Sequence, residues 1–112
     1  MYQIVKLNFP FADNLGKGKP RPALVITPSF GTHNQLVLAY VTSNLEDILE
    51  TDVLIDGKEK DFHLTGLRST SVIKLHRLIT VTPSQLGVIG VLPNKRIIEV
   101  KEKLLNVFQL KK

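Results

Sequence analysis

Arg21 stands between Pro20 and Pro22, directly before the apolar run Ala23-Leu24-Val25-Ile26. Proline on either side keeps the backbone there out of helix and holds the arginine extended at the start of a strand. A guanidinium offers planar, paired donors that match phosphate oxygens, and it stays charged at every working pH. Lys17 and Lys19 precede it in a glycine-bearing stretch, so cationic side chains lead into the strand. His76 carries the one side chain whose ordinary pKa lies near neutrality, which suits taking and returning a proton. Lys74, two residues earlier, shares its face if the segment is extended. Thr42 and Ser43 close another apolar run and offer hydroxyls, which are poor bases but good hydrogen-bonding partners. Together these residue types could hold a phosphodiester and move protons on it. Each also has a plain structural reading: a solvated arginine, a β-branched residue suited to a strand, a packed histidine, a lysine on a wet face.

Other chemistries are poorly represented. The chain has no cysteine, which removes disulfides, thiolate nucleophiles and cysteine-based zinc sites together. His33, His63 and His76 show no ligand spacing with one another, so neither a metal nor a cofactor is expected. No phosphate-binding glycine motif and no Gly-x-Ser-x-Gly elbow is present. Fifteen Lys and Arg against ten Asp and Glu give a formal charge of +5 and an isoelectric point near 9.6. Such an excess concentrates polyanions near a surface and speeds their capture. Two tyrosines, five phenylalanines and no tryptophan do not signal a base-stacking platform. No apolar stretch is long enough to span a bilayer, and no leader pattern opens the sequence; a cytoplasmic location without membrane attachment is expected.

The elements that must position these residues are mostly strands. With 112 residues, 43% of them hydrophobic, the chain is expected to form one domain, residues 1–112, around a packed core. Residues 2–7 alternate and are bounded by Asn8 and Pro10, which predicts a first strand. Residues 12–19 read as a basic loop, residues 23–27 as a buried strand, residues 28–34 as a turn and residues 35–42 as the next strand. Asp56-Gly57 between residues 51–55 and 60–64 predicts a hairpin. Residues 66–74 and 77–81 read as two further strands. Thr82-Pro83 predicts a short helical turn. In residues 95–110, Ile97, Val100, Leu104 and Val107 recur at helical spacing, with lysines opposite, as in an amphipathic helix lying across a sheet. The fold class predicted is a small, mostly-β barrel closed by a C-terminal amphipathic helix.

Three stretches resemble one family. Residues 17–27 (KGKPRPALVIT) are similar to the basic loop and second strand of the MazF/PemK/Kid toxins. Residues 38–44 (LAYVTSN) resemble the strand that ends in a Thr-Ser or Thr-Thr pair. Residues 66–81 (GLRSTSVIKLHRLITV) resemble the Gly-led strand and its partner. Residues 86–92 are similar to the family's short helix followed by Ile-Gly-x-Leu. The motifs follow in family order over nearly the whole chain. The resemblance implies an SH3-like barrel, a homodimer, cleavage of single-stranded RNA and a cognate antitoxin as partner. Two departures stand out. Tyr2-Gln3-Ile4 replaces the usual Gly-Asp opening, and Lys74 and His76 stand where the PemK/Kid branch carries an arginine and an aspartate.

Metal-free cleavage of RNA uses the ribose 2′-hydroxyl as an internal nucleophile. It needs a base for the 2′-proton, an acid for the departing 5′-oxygen and a cation for the crowded phosphate, and it leaves 2′,3′-cyclic phosphate and 5′-hydroxyl ends. The resemblance implies Arg21 as phosphate clamp and candidate acid, Thr42 as orienting hydroxyl and His76 as candidate base. Lys17, Lys19, Ser43, Thr70, Ser71 and Lys74 are the implied RNA contacts. Two alternatives remain open at this point. A gyrase poison on the same barrel, as in the CcdB relatives, would depend on the end of the last helix rather than on Arg21. A non-catalytic SH3-like module would bind RNA and release no cyclic phosphate.

Overall fold

Apolar, β-branched runs bounded by proline, asparagine or serine become strands wherever a neighbour can complete their backbone hydrogen bonds. In the computed structural model, which describes residues 1–8 and 20–110, six runs do so: β1 (Gln3–Leu7), β2 (Arg21–Val25), β3 (Leu36–Thr42), β4 (Val53–Ile55), β5 (Ser71–Val81) and β6 (Gly87–Val91). They form one antiparallel sheet in the order β4-β5-β3-β2-β1-β6. The sheet curls into a half-barrel, and helix α1 (Asn94–Val107) packs on it.

Both faces of the sheet are covered. On the helix side Ile4, Leu24, Ala39, Val41, Val53, Ile55, Ile73 and Leu75 pack with Val100, Ile97 and Leu104 of α1. On the opposite side Val5, Leu7, Ala23, Val25, Leu38, Tyr40 and Val81 pack with Ile79 and Leu86. The strands alternate between these two cores with the period of two that a pleat imposes.

Strand β5 breaks this alternation once. Ala39 pairs with Leu78 while its neighbour Tyr40 pairs with Lys74, so Leu75, His76 and Arg77 have no registered partner in β3. Ile73 and Leu75 face the helix side, whereas Ile79 and Val81 face the opposite side. A bulge of this kind bends the strand and re-aims the side chains within it.

The predicted strands of residues 2–7, 23–27 and 35–42 match β1, β2 and β3 within two residues. The predicted hairpin does not form. Residues 60–64 are not a strand: Phe62–Thr65 make a 3₁₀ turn, and β4 pairs with the start of β5 instead. Thr70 Oγ1 accepts from the Gly57 amide at 2.8 Å, and Asp56 Oδ1 accepts from the Lys58 amide at 2.9 Å. These side-chain bonds satisfy the turn locally. The two strands predicted over residues 66–81 are one, β5. The short helical turn forms at Pro83–Gln85, but the residues after it are strand β6, pairing with β1.

Helix α1 ends three residues before the predicted limit. Gln109 takes φ of 55°, its amide donates to Asn106 O at 3.2 Å and that of Leu110 to Leu105 O at 2.8 Å. This is a Schellman ending with glutamine at the left-handed position where glycine is usual. Arg96 of α1 binds both carboxylate oxygens of Glu59 and donates to Glu99 at 2.9 Å. The bonds from Arg96, opposed in part by desolvation, hold the Glu59 carboxyl below its usual range. Among the described residues no helix is long and apolar enough to cross a membrane.

Candidate active site

The register on the face opposite the helix decides which side chains meet. Ala23 lies opposite Tyr40, and Tyr40 opposite Lys74. Moving two residues along each strand keeps the face, so Arg21, Thr42, Lys74 and His76 all project from the side on which Ala23 and Tyr40 pack. Arg21 opens β2, Thr42 closes β3, and His76 sits in the unregistered part of β5. All four line one open hollow of about 550 Å3, together with Ser43, Asp47 and Arg77. A second hollow, of about 450 Å3, adjoins it across Arg21, Tyr40, Thr42 and Ser43 and extends to Lys6, Arg68 and Ser71. The result is a groove with cationic residues along its walls.

The side chains in it are held differently. Thr42 Oγ1 accepts from the Asn44 amide at 3.1 Å, and Asn44 Oδ1 accepts from the Glu46 amide at 3.0 Å, which starts the loop that forms one wall. Arg77 stacks its guanidinium over the Tyr40 ring, 4.5 Å from the centroid. Such stacking holds both groups beside the hollow. His76 has 42% of its side chain exposed.

Lys74 is not on a wet strand face. Its side chain is 11% exposed, and its ammonium donates to Asp52 Oδ2 at 2.6 Å and to Asp47 O at 2.5 Å. The other expected RNA contacts divide. Ser43 is exposed on the wall of both hollows. Ser71 lines the second hollow but is buried, its hydroxyl donating to Ser69 O at 2.9 Å. Thr70 lines neither hollow, and its hydroxyl accepts from Gly57. Lys17 and Lys19 lie outside the described residues.

Sequence reasoning missed Asp52, Tyr40 and Arg77. The Asp52 carboxylate is fully buried, its Oδ2 accepting from Lys74 and from the Leu49 amide at 2.8 Å. The only signal for it was a carboxylate placed directly before the alternation Val53-Leu54-Ile55, where a buried strand begins.

What the arrangement can do is bind a phosphodiester against Arg21, offer it a hydroxyl from Thr42 and present an exposed imidazole. A family model for the PemK-like, MazF-like toxins of type II toxin–antitoxin systems matches residues 1–108. The chain belongs to that family. Toxins of the MazF type are endoribonucleases, and endoribonuclease toxin is therefore its functional class. No curated protein sequence matches it significantly. Solved structures share the fold. The Mycobacterium tuberculosis toxin MazF-mt6 is 23% identical, with a TM-score of 0.74 over 98% of this chain and 99% of the other. A mycobacterial endoribonuclease in complex with its cognate antitoxin is 13% identical, with a TM-score of 0.70 over 99% and 95%. MazF from Deinococcus radiodurans is 23% identical, with a TM-score of 0.69 over 97% and 94%.

Proposed function

We propose that the chain is a single toxin domain, residues 1–112, which cuts single-stranded RNA by attack of a ribose 2′-oxygen on the adjacent phosphorus. The observation that supports this most directly is the convergence of Arg21, Thr42 and His76 on one open hollow. In the reaction the 2′-oxygen–phosphorus bond forms as the bond to the 5′-oxygen breaks. The 2′-proton passes to His76. Arg21 clamps the non-bridging oxygens, offsets the charge that accumulates on them and donates a hydrogen bond to the departing 5′-oxygen, which takes its proton from water in the open hollow as it becomes the 5′-hydroxyl. Thr42 orients the phosphate. These side chains supply the base, the cation and the donor, so the step as written uses no metal. Ser43 grips the backbone from the wall, and Lys17 and Lys19 extend that grip in a manner that fades with salt. Lys74, already bound to Asp52, neutralises that carboxylate. Thr70 and Ser71 have their hydroxyls engaged within their own loop and are given no RNA contact.

The partners proposed are single-stranded RNA, a second copy of the chain and a cognate antitoxin, and the compartment is the cytoplasm. The family supports all of these, and the mycobacterial relative solved with its antitoxin supports the last partner. The test is incubation of the purified protein with mixed single-stranded RNA in EDTA, followed by mapping of the ends. Cyclic phosphate and 5′-hydroxyl ends are expected, with a rate loss on the order of 10²–10³ in Arg21→Ala. Products bearing 5′-phosphate, or cleavage abolished by EDTA, would refute the mechanism. An Arg21→Ala variant still toxic through DNA gyrase would revive the gyrase-poison alternative.

A further inference from the structure

Asp52 carries one buried oxygen that the proposed reaction leaves unused. Its Oδ2 is satisfied by Lys74 and by the Leu49 amide, but Oδ1 is buried and has no hydrogen-bond partner among the described residues. A buried carboxylate oxygen left in that state is costly, and such atoms concentrate at working sites. His76 Nδ1 lies 3.9 Å from it. Catalytic hydrogen bonds are often long in the unliganded state and tighten when substrate binds.

We infer that Asp52 is the positioning residue of His76: its Oδ1 accepts the Nδ1 proton, which leaves Nε2 unprotonated to take the proton of the ribose 2′-hydroxyl. The logic is that of a carboxylate which fixes an imidazole in one tautomer and stabilises the imidazolium that forms when the base is used. Asp52 is anchored at three points: Lys74 and the Leu49 amide hold its carboxylate, and Lys103 of α1 donates to its backbone oxygen at 2.8 Å. With 42% of its side chain exposed, the His76 ring has room to turn and close the remaining distance. Lys74 is then the counter-charge paired with the buried carboxylate. The inference rests on the reading of His76 as the base.

The test uses the intact protein and the isotope-labelled imidazole. In the wild type, nitrogen NMR of neutral His76 should show the Nδ1–H tautomer. Asp52→Asn keeps a neutral oxygen for Lys74 and the Leu49 amide and turns an NH2 group toward His76. It should switch the ring to Nε2–H and lower kcat by on the order of 10² to 10⁴, with KM and binding of a 2′-deoxy RNA little changed. Asp52→Asn with Lys74→Met, which removes the buried charge as well, should give the same tautomer and the same loss. A wild-type Nε2–H ring, or a tautomer indifferent to Asp52, overturns the inference. A switched tautomer with an unchanged rate also overturns it. If His76→Ala were equally active in that case, the reading of His76 as base would be the part that failed.

Discussion

The buried pair of Asp52 and Lys74 can be taken apart one member at a time. The charges lie 2.6 Å apart, with side chains 0% and 11% exposed. At an effective dielectric of about 20 their attraction is about 6 kcal/mol, and desolvation of the two ions offsets it with several kcal/mol each. The pair therefore adds little net stability, while either charge left alone in that place adds a large penalty. Asp52→Ala strands the Lys74 ammonium and the Leu49 amide, and Lys74→Met strands the carboxylate. Each should cost about 3–5 kcal/mol, a fall in Tm of at least about 12 °C for a domain of this size. The double variant should lose only about 1–3 kcal/mol, chiefly for the Leu49 amide. The coupling is then about 3 kcal/mol or more. With no tryptophan in the chain, urea denaturation followed by far-ultraviolet circular dichroism is the suitable assay, at matched protein concentration. Additivity of the two single losses within about 0.5 kcal/mol would refute the account of Lys74 as the counter-ion.

Two further outcomes follow from features remote from the hollow. The Glu59 carboxyl is held low by Arg96, so the contribution of this clamp is complete above the unfolded carboxyl range and is lost as pH falls through the folded value. Tm should decline more steeply below about pH 4.5 in the wild type than in Glu59→Gln, and parallel curves would count against the clamp. A Cβ at Gly90 would lie 2.3 Å from Thr65 O and 2.4 Å from Leu64 O. Gly90→Ala should therefore cost about 1–3 kcal/mol or more by forcing β6 off the 3₁₀ turn, read as a lower urea midpoint; an unchanged midpoint would show that the turn yields freely.

The strands that lead to Arg21 and Thr42 were legible because their apolar runs are long, β-branched and bounded by breakers. The 3₁₀ turn at Phe62–Thr65 was not, since Asp56-Gly57 is a hairpin signal in the absence of Thr70, which lies far along the chain and redirects it. Strand β6 was hidden by Gly87 and Gly90, residues that weaken strand propensity; at Gly90 the backbone of Leu64 and Thr65 passes too close to admit a side chain. Arg21, Thr42 and His76 could be named from residue type and family order. The burial of Lys74 could not: it depends on the loop between β3 and β4 folding over β5, and no local spacing in the chain records that. Asp52 was silent for the same reason.

Three residues of β5 answer to no partner in β3, and they fall between two blocks of strand that each serve a different core. Leu75 is still drawn into the helix-side core, but His76 leaves much of its side chain in solvent and is exempt from the packing demands on either block. On the proposed reading an exchange of the His76 imidazole for another polar group asks little of the hydrophobic interior, since so much of that side chain stands in solvent. The architecture thus separates what the barrel needs in order to form from what can be rewritten at the hollow.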